Sequence, residues 1–382
     1  MHIVLNAQLI SDQPSYRSAG MSNYGRNLLA ALGPMAADRQ LHLTALTNTP
    51  ERSLPGIDVR TTVLPLHRPA ARIAWEQIVL PGYLRRLGAD IVHGLVNVLP
   101  LATEVPGVVT VHDLSFLHVP QLLPPAKRLY LSVLCRMSAR KAAAIIAVSR
   151  QTADDVVRCF GVPAHKVTVA HNGVDARFSP APAEHVEAFR DRKQLPERFF
   201  LFLGTLEPRK NLTTLLAAYA RWRHAAGAQN AEFKLVVAGG KGWYFDTIFT
   251  QVGELGLHDS VIFPGYVPDE ELPDWYRAAT AFVFPSVFEG FGLPVLEALS
   301  SGTPVLCSDI SVLREIAGSG TEQAALLAPP EDADAWTAGL ARLAGQAVLR
   351  DELRRRGLAR AAGFSWQSAA HRTLDAYRMA AR

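Results

Sequence analysis

Residues 282–309, FVFPSVFEGFGLPVLEALSSGTPVLCSD, hold the densest set of groups able to bind an anion or a polyol. A strand runs to about Pro285, a glycine-bearing turn follows, and Pro294 falls where a first helical residue tolerates a missing N–H. The amides of Phe291, Gly292 and Leu293 then sit at a helix N-terminus beyond the carboxyl end of a strand, a setting that suits phosphate or sugar hydroxyls. Glu289 and Glu297, with seven residues between them, frame it. The same residues admit a plainer reading, in which Glu297 complements the helix dipole and Glu289 is a solvated loop residue.

A second segment, LGTLEPRKNLTTLL (203–216), takes a buried-type strand into a loop with adjacent Arg209 and Lys210, and Asn211 can cap the helix that follows. A guanidinium fork beside an ammonium suits a diphosphate, although a solvated Arg-Lys pair at a turn is the commoner use of such a dipeptide. In GVVTVHDLSFL (107–117) an apolar strand ends in His112 and Asp113. The histidine can donate to a sugar hydroxyl or a phosphate oxygen and the aspartate can cap a helix, while a lone histidine is more often structural. SAGMSNYGRNLLAAL (18–32) places a Gly20 turn before a helix, but Gly20 and Gly25 do not make a dinucleotide fingerprint.

Other chemistries find no support. Asp332 and Asp334 spell DxD but open a helix as caps, no His, Cys and carboxylate set has metal-ligand spacing, and there is no GxSxG elbow or Walker sequence. Neither a metal nor a cofactor is expected. Cys135, Cys159 and Cys307 are far apart in sequence, which argues against a disulfide framework and for a reducing, cytoplasmic setting.

At 382 residues, with 49% hydrophobic and 19% charged residues, the chain reads as two globular domains. The N-terminus lacks a signal-peptide pattern and no run of about 18 apolar residues occurs, so neither export by that route nor a membrane span is expected. The net charge of +4 is uneven, since Met1–Ser179 carries 18 Lys+Arg against 11 Asp+Glu. Nucleic acid is not expected as a partner, because no basic stripe interleaved with aromatics is visible. The basic residues of 125–143, Lys127, Arg128, Arg136, Arg140 and Lys141, accompany Leu129, Leu131, Val133 and Leu134. That helix is either a peripheral membrane contact or a core helix with a solvated basic face.

The elements that must position these groups alternate. Short β-branched runs (HIVLNAQ, LHLTALT, DIVHGL, GVVTVHDL, AAIIAVS and KVTVAHNG, then FFLFLGTL, FKLVVAGG, SVIFPGYV, TAFVFPS and TPVLCSD) are separated by segments of helical period, predicting an α/β protein with parallel sheets. A proline-bearing, charged break after HNGVD (171–175) divides the two domains, and a terminal helix starts from a Ser365 cap.

Taken together, Glu289 followed by GFGLPVLEA, the EPRKNL loop, the HDL strand end and the HNGVD hinge resemble glycosyltransferase family 4, retaining enzymes of the GT-B fold, over nearly the whole chain. The resemblance implies two Rossmann-like domains facing one another across a cleft: an acceptor-binding domain over 1–176, a nucleotide-sugar-binding domain over 177–363, and a helix over 364–382 that crosses back to the first. It implies that Glu289 holds donor-sugar hydroxyls, that amides of Phe291, Gly292 and Leu293 meet the sugar and distal phosphate, and that Glu297 takes the ribose hydroxyls. Arg209 and Lys210 become the diphosphate clamp, and His112 lies beside the donor sugar. Gly20 and Met21 bring amides to the phosphates, and the backbone around Tyr266 and Val267 edges the base. Gly204 ends the donor-domain strand, and it is followed by Thr205 where many members carry arginine, which shifts diphosphate charge onto Arg209 and Lys210.

The resemblance further implies metal-independent hexosyl transfer. No carboxylate stands out as a nucleophile, so front-face retention is expected, with the leaving phosphate accepting the acceptor's proton. The donor expected is GDP-mannose or a related GDP-deoxysugar, and the acceptor a saccharide or polyprenyl-linked saccharide of bacterial O-antigen or exopolysaccharide assembly, made at the inner face of the cytoplasmic membrane. A UDP- or dTDP-sugar transferase and a non-catalytic nucleotide-sugar-binding protein are the alternatives.

Overall fold

The computed structural model describes residues 1–10, 19–48, 53–62, 69–226, 230 and 232–382. Ser18, with which the predicted turn-and-helix segment 18–32 begins, lies outside them. The chain divides into two compact units, Met1–Gly173 with Ser365–Arg382, and Val174–Phe364.

In the first unit, β1 (His2–Asn6), β2 (His42–Thr47), β3 (Ile57–Thr61), β4 (Ile91–Gly94), β5 (Gly107–Val111), β6 (Ala144–Ala147) and β7 (Val167–Val169) form one sheet. Its order is β3-β2-β1-β4-β5-β6-β7 and every pairing is parallel. The inner strands β4, β5 and β6 are buried along their whole length, as parallel strands covered on both faces must be. The edge strand β3, IDVRT, alternates and carries its charges outward.

The returning segment Ser365–Arg382 is fastened to this sheet by polar and apolar contacts. Ser365 caps the helix Trp366–Ala380 by accepting from Ser368 N. Tyr377 meets His93 Nδ1 at 2.8 Å, His93 Nε2 meets Thr110 at 2.9 Å, and Thr110 meets Tyr24 at 2.9 Å, so two helices and two strands share one buried network. Burial brings the His93 pKa down to about 3, which keeps the imidazole neutral there. Gly173 is required where the chain passes Ser365 and Trp366, since a Cβ at 173 would lie 2.1 Å from Trp366 N.

The second unit contains β8 (Phe199–Leu203), β9 (Lys234–Ala238), β10 (Val261–Gly265), β11 (Ala281–Phe284), β12 (Val305–Ser308) and β13 (Leu326–Ala328). Their order, β10-β9-β8-β11-β12-β13, reverses direction between β8 and β11, and all pairs are parallel. This is the Rossmann arrangement, whose ligands bind outside the carboxyl ends of the strands at the switch point. Phe200, Phe202, Phe282 and Phe284 fill the two central strands, with Phe202 and Phe284 stacked at 6.3 Å.

Candidate active site

The two segments richest in chemistry leave the carboxyl ends of β8 and β11, so the switch point of the second unit brings together groups 79 residues apart in sequence. Gly204 directly follows β8, and a Cβ there would lie 3.8 Å from the Lys210 Cε, which places Lys210 over that strand end. A short turn, Pro208–Lys210, then carries both cations. It is laced to the loop after β11 by Val287 N, which donates to the Arg209 carbonyl at 3.0 Å, and by the Arg209 guanidinium, which donates to the Phe288 carbonyl at 2.6 Å.

Lys210 is buried, and a buried ammonium needs a partner. It donates to Glu289 Oε1 at 2.6 Å and lies 4.6 Å from the centre of the Phe284 ring. Glu289 also takes the Ser286 hydroxyl at 2.6 Å and pairs with Arg209 at 3.0 Å. Burial alone would raise the Glu289 pKa, but Arg209, Lys210 and the Ser286 hydroxyl outweigh it and hold the carboxyl at about 2. The Lys210 pKa is drawn below its usual value by burial, against the pull of Glu289.

Arg209 is further engaged by Glu207, whose Oε1 accepts from Nε at 3.1 Å and from a terminal nitrogen at 2.8 Å. The expected diphosphate clamp and the expected sugar-holding carboxylate are thus one four-charge cluster, two cations matched by two carboxylates. Sequence reading missed Glu207 and Ser286. The signal for Glu207 was its place two residues before Arg209 in the same loop; for Ser286 there was none.

The helix Leu293–Ser300 begins after Gly292, whose φ of 108° and lack of a Cβ, which would press 2.7 Å from Leu313, both require glycine. Pro294 is the second helical residue rather than the first. Glu297, one turn inside this helix, is buried and accepts the Tyr276 hydroxyl at 3.0 Å. Burial raises its pKa to about 7, despite the Tyr276 hydrogen bond and the nearby Arg177. A solvated dipole-complementing glutamate is therefore excluded. Tyr276 belongs to the helix Leu272–Ala278, 21 residues before Glu297, and no linear spacing pointed to it.

Asn211 adopts a left-handed conformation (φ 53°) and its Oδ1 accepts the Thr214 hydroxyl at 2.9 Å at the start of the helix Leu212–Ala226. Of the DxD aspartates only Asp332 is a helix cap, accepting from Asp334 N and Ala335 N, while Asp334 lies in the first turn and pairs with Arg221 at 2.6 Å. Tyr266 and Val267 line a cavity of about 300 Å³ walled by Gln194, Pro264 and Trp275 and by the Lys193–Glu271 ion pair at 2.7 Å.

In the first unit His112 follows the end of β5. Its backbone N donates to Asn97 Oδ1 at 2.9 Å, and Asn97 holds a left-handed conformation (φ 55°) to reach it. His112 Nε2 lies 2.8 Å from the Leu95 carbonyl, which can only accept, so Nε2 carries the proton. Burial lowers the pKa of the ring, and the neutral imidazole then presents Nδ1 as an acceptor. The expectation that His112 donates to a sugar hydroxyl or a phosphate oxygen is corrected on this point: with Nε2–H committed to the Leu95 carbonyl, the neutral ring offers Nδ1 as an acceptor instead. Gly20, expected in a turn, and Met21 are the second and third residues of the helix Ala19–Ala37.

The helix Pro125–Lys141 buries only Cys135, Ser138 and Ala139. Arg140 donates to the Phe160 carbonyl at 3.0 Å and Lys141 to the Leu101 carbonyl at 2.8 Å, so these two serve the unit's own backbone. Leu129, Val133 and Met137, each four residues apart, are 68%, 46% and 48% exposed and form an apolar stripe among the remaining cations. Among the described residues no helix is long and apolar enough to cross a membrane.

Comparison with known proteins agrees with this geometry. Residues 186–360 match the family described as Glycosyl transferases group 1, and residues 19–178 match Glycosyltransferase Family 4. O-antigen chain mannosyltransferase B of Escherichia coli is 35% identical over 291 residues, 76% of this chain and 74% of its own. O-antigen chain mannosyltransferase RfbU of Salmonella typhimurium is 29% identical over 61% of this chain, which spans 59% of that relative. Sucrose-phosphate synthase from Thermosynechococcus elongatus shares the fold, with a TM-score of 0.79 at 24% identity over 99% of this chain and 98% of its own. With two Rossmann-like units and both halves matched, the chain belongs to glycosyltransferase family 4, the group 1 glycosyltransferases, and has the GT-B fold.

Proposed function

We propose that the protein is a retaining, metal-independent hexosyltransferase that moves mannose or a related deoxysugar from a GDP-linked donor to a saccharide carried on a polyprenyl lipid, in bacterial O-antigen or exopolysaccharide assembly. The observation that carries this reading is the Arg209–Lys210–Glu289 cluster at the β8/β11 switch point of the second unit. The relatives named as O-antigen mannosyltransferases support the sugar and the pathway.

The chemistry follows from charge. As the glycosidic bond loosens, negative charge grows on the leaving nucleoside diphosphate, and fixed cations stabilise it without reorganising. The diphosphate shares Lys210 with Glu289, while Ser286 keeps the carboxylate in place to accept from a sugar hydroxyl. Glu297, anchored by Tyr276, takes the ribose hydroxyls. His112 Nδ1 accepts from a hydroxyl of the donor sugar. The leaving phosphate itself accepts the acceptor's proton, which yields retention without a protein nucleophile.

A panel of GDP-, UDP- and dTDP-sugars tests the donor. GDP-mannose at 100 times its Kd should stabilise the folded chain by about 2.7 kcal/mol, read as a rise in melting temperature, with slow release of GDP. A rise confined to UDP- or dTDP-sugars would replace the donor assignment, and no rise with any of them would remove the enzymatic reading.

The stripe of Leu129, Val133 and Met137 among Lys127, Arg128 and Arg136 supports peripheral contact with the inner face of the cytoplasmic membrane, which brings the site to a lipid-linked acceptor. Reversing Arg128 and Arg136 to glutamate, with Arg140 and Lys141 left to their structural bonds, should abolish flotation with phosphatidylglycerol vesicles. Undiminished flotation would remove the membrane contact.

A further inference from the structure

The linear spacing of histidines, cysteines and acids shows no metal site, but among the described residues the fold assembles one group with the donors for it. Asp155 and Cys159 lie one turn apart on the helix Arg150–Phe160, so their side chains share a face. His118, the last residue of the short helix Ser115–His118, approaches the same face. Its Nε2 is 3.0 Å from Asp155 Oδ2, and the imidazole nitrogen, the carboxylate oxygen and the Cys159 sulfur all lie within 4.8 Å of one another.

We propose that His118, Asp155 and Cys159 bind one divalent cation of the zinc class, with water completing a four-coordinate shell. Bonds of about 2.0–2.3 Å in a tetrahedral shell put ligand atoms roughly 3.3–3.8 Å apart, so the His118–Asp155 pair at 3.0 Å needs only to open slightly and the Cys159 sulfur to close by about 1 Å at most. A nitrogen, an oxygen and a sulfur donor together select a borderline cation such as Zn²⁺ or Co²⁺ and reject Mg²⁺ and Ca²⁺, which take oxygen ligands. Thiolate and carboxylate together match the double positive charge. The thiol loses its proton as the sulfur–metal bond forms, so one proton is released for each ion bound.

The surroundings fit an ion that arrives from solvent. Asp155 has a side chain only 1% exposed, a buried carboxylate that needs compensation. Its partners besides His118 are Gln151, whose Nε2 donates to Oδ2 at 3.0 Å, and Arg158. The Arg158 side chain is 66% exposed, so an entering cation can displace it into water at little cost. The His118 side chain is 29% exposed and gives the route in. Of the three cysteines, Cys135 and Cys307 are fully buried and burial pushes both thiols up, whereas Cys159 is half-buried.

The position also suggests what the ion does. Asp113, next to His112, accepts from the Ser115 backbone N at 2.9 Å and from its hydroxyl at 2.7 Å, which starts the helix that His118 ends. A bound ion ties this segment, seven residues from His112 to His118, to the helix Arg150–Phe160. It is a structural clamp behind the β5 strand end and takes no part in the transfer chemistry.

The test uses the full-length chain stripped with EDTA and dialysed, with Co²⁺ and then Zn²⁺ as probes. One Co²⁺ per chain should bind and give near-ultraviolet thiolate-to-cobalt absorption that Zn²⁺ abolishes and Mg²⁺ does not. Cys159→Ser should lose that band, and Cys159→Ser and His118→Gln should each weaken Zn²⁺ by at least the roughly 10- to 100-fold that loss of an outer-shell partner costs. Arg158→Ala, which removes the competing cation, should tighten it. Far-ultraviolet circular dichroism identifies any variant that fails to fold. Cobalt binding without the thiolate band, or Zn²⁺ affinity unchanged in both folded ligand variants, overturns the site.

Discussion

Replacing Lys210 with alanine should lower turnover of the donor by two to three orders of magnitude, in line with the roughly 3–4 kcal/mol that a single preorganised electrostatic donor supplies to a transition state. The fold should survive, because Glu289 keeps the Ser286 hydroxyl at 2.6 Å and the Arg209 guanidinium at 3.0 Å when the ammonium is gone. Lys210→Arg should not restore the rate: the ammonium sits 4.6 Å from the Phe284 ring centre in a buried slot, and a planar fork cannot occupy the same point. Steady-state kinetics of donor hydrolysis distinguish the effects, since lost transition-state stabilisation falls on kcat and lost ground-state binding on KM. Near-normal turnover in Lys210→Ala would remove Lys210 from the reaction.

Glu297→Gln should weaken donor binding and yet stabilise the protein at alkaline pH. The carboxyl titrates near 4.5 when unconstrained and at about 7 in the folded chain, where burial favours its neutral form. The folded state therefore holds the proton more tightly. Stability from this group is complete below pH 4.5, declines as pH rises, and is lost above pH 7, a difference of about 3 kcal/mol at most. Glutamine keeps an oxygen for the Tyr276 hydroxyl and does not titrate. Urea unfolding should thus find the variant about 2–3 kcal/mol more stable than the wild type at pH 8, relative to their difference at pH 4.5. Glu289 acts in the opposite sense and in a separate window, since its depressed pKa contributes stability that is lost as pH falls from 4.5 toward 2. Donor affinity should fall by about 10- to 100-fold, the worth of a hydrogen bond to a charged acceptor. A pH-independent stability difference would place Glu297 in an ordinary carboxylate environment and contradict its burial.

The sheet strands that sequence reading found include the buried apolar runs FFLFL and AFVF and also the edge strands β7 and β10, whose VTV and VIF runs are β-branched or aromatic. It missed β3, whose IDVRT alternates because it sits at an edge, and β13, an edge strand of the other sheet only three residues long. At the site, Arg209, Lys210 and Glu289 could be singled out because each lies in a short loop with a distinctive local pattern, and Glu297 because it follows in the helix after the Glu289 loop. Their partners were not. Tyr276 reaches Glu297 from another helix, Asn97 reaches His112 through a left-handed residue, and Lys210 pairs with Glu289 across two strands. Such pairings depend on sheet order, which local periodicity does not encode. The Leu129–Met137 stripe shows the same limit: the period identified the helix, but which face the core would take depended on what packed against it.

The most direct test of the proposed function is the anomeric configuration of the product formed from GDP-mannose and a short-chain polyprenyl-linked saccharide, read from the one-bond carbon–proton coupling by NMR. An α-linked product with release of GDP in the presence of EDTA is the expected result, since the donor is α-linked and the site supplies fixed cations in place of a metal. A β-linked product, or transfer that stops when metal is chelated, would contradict it.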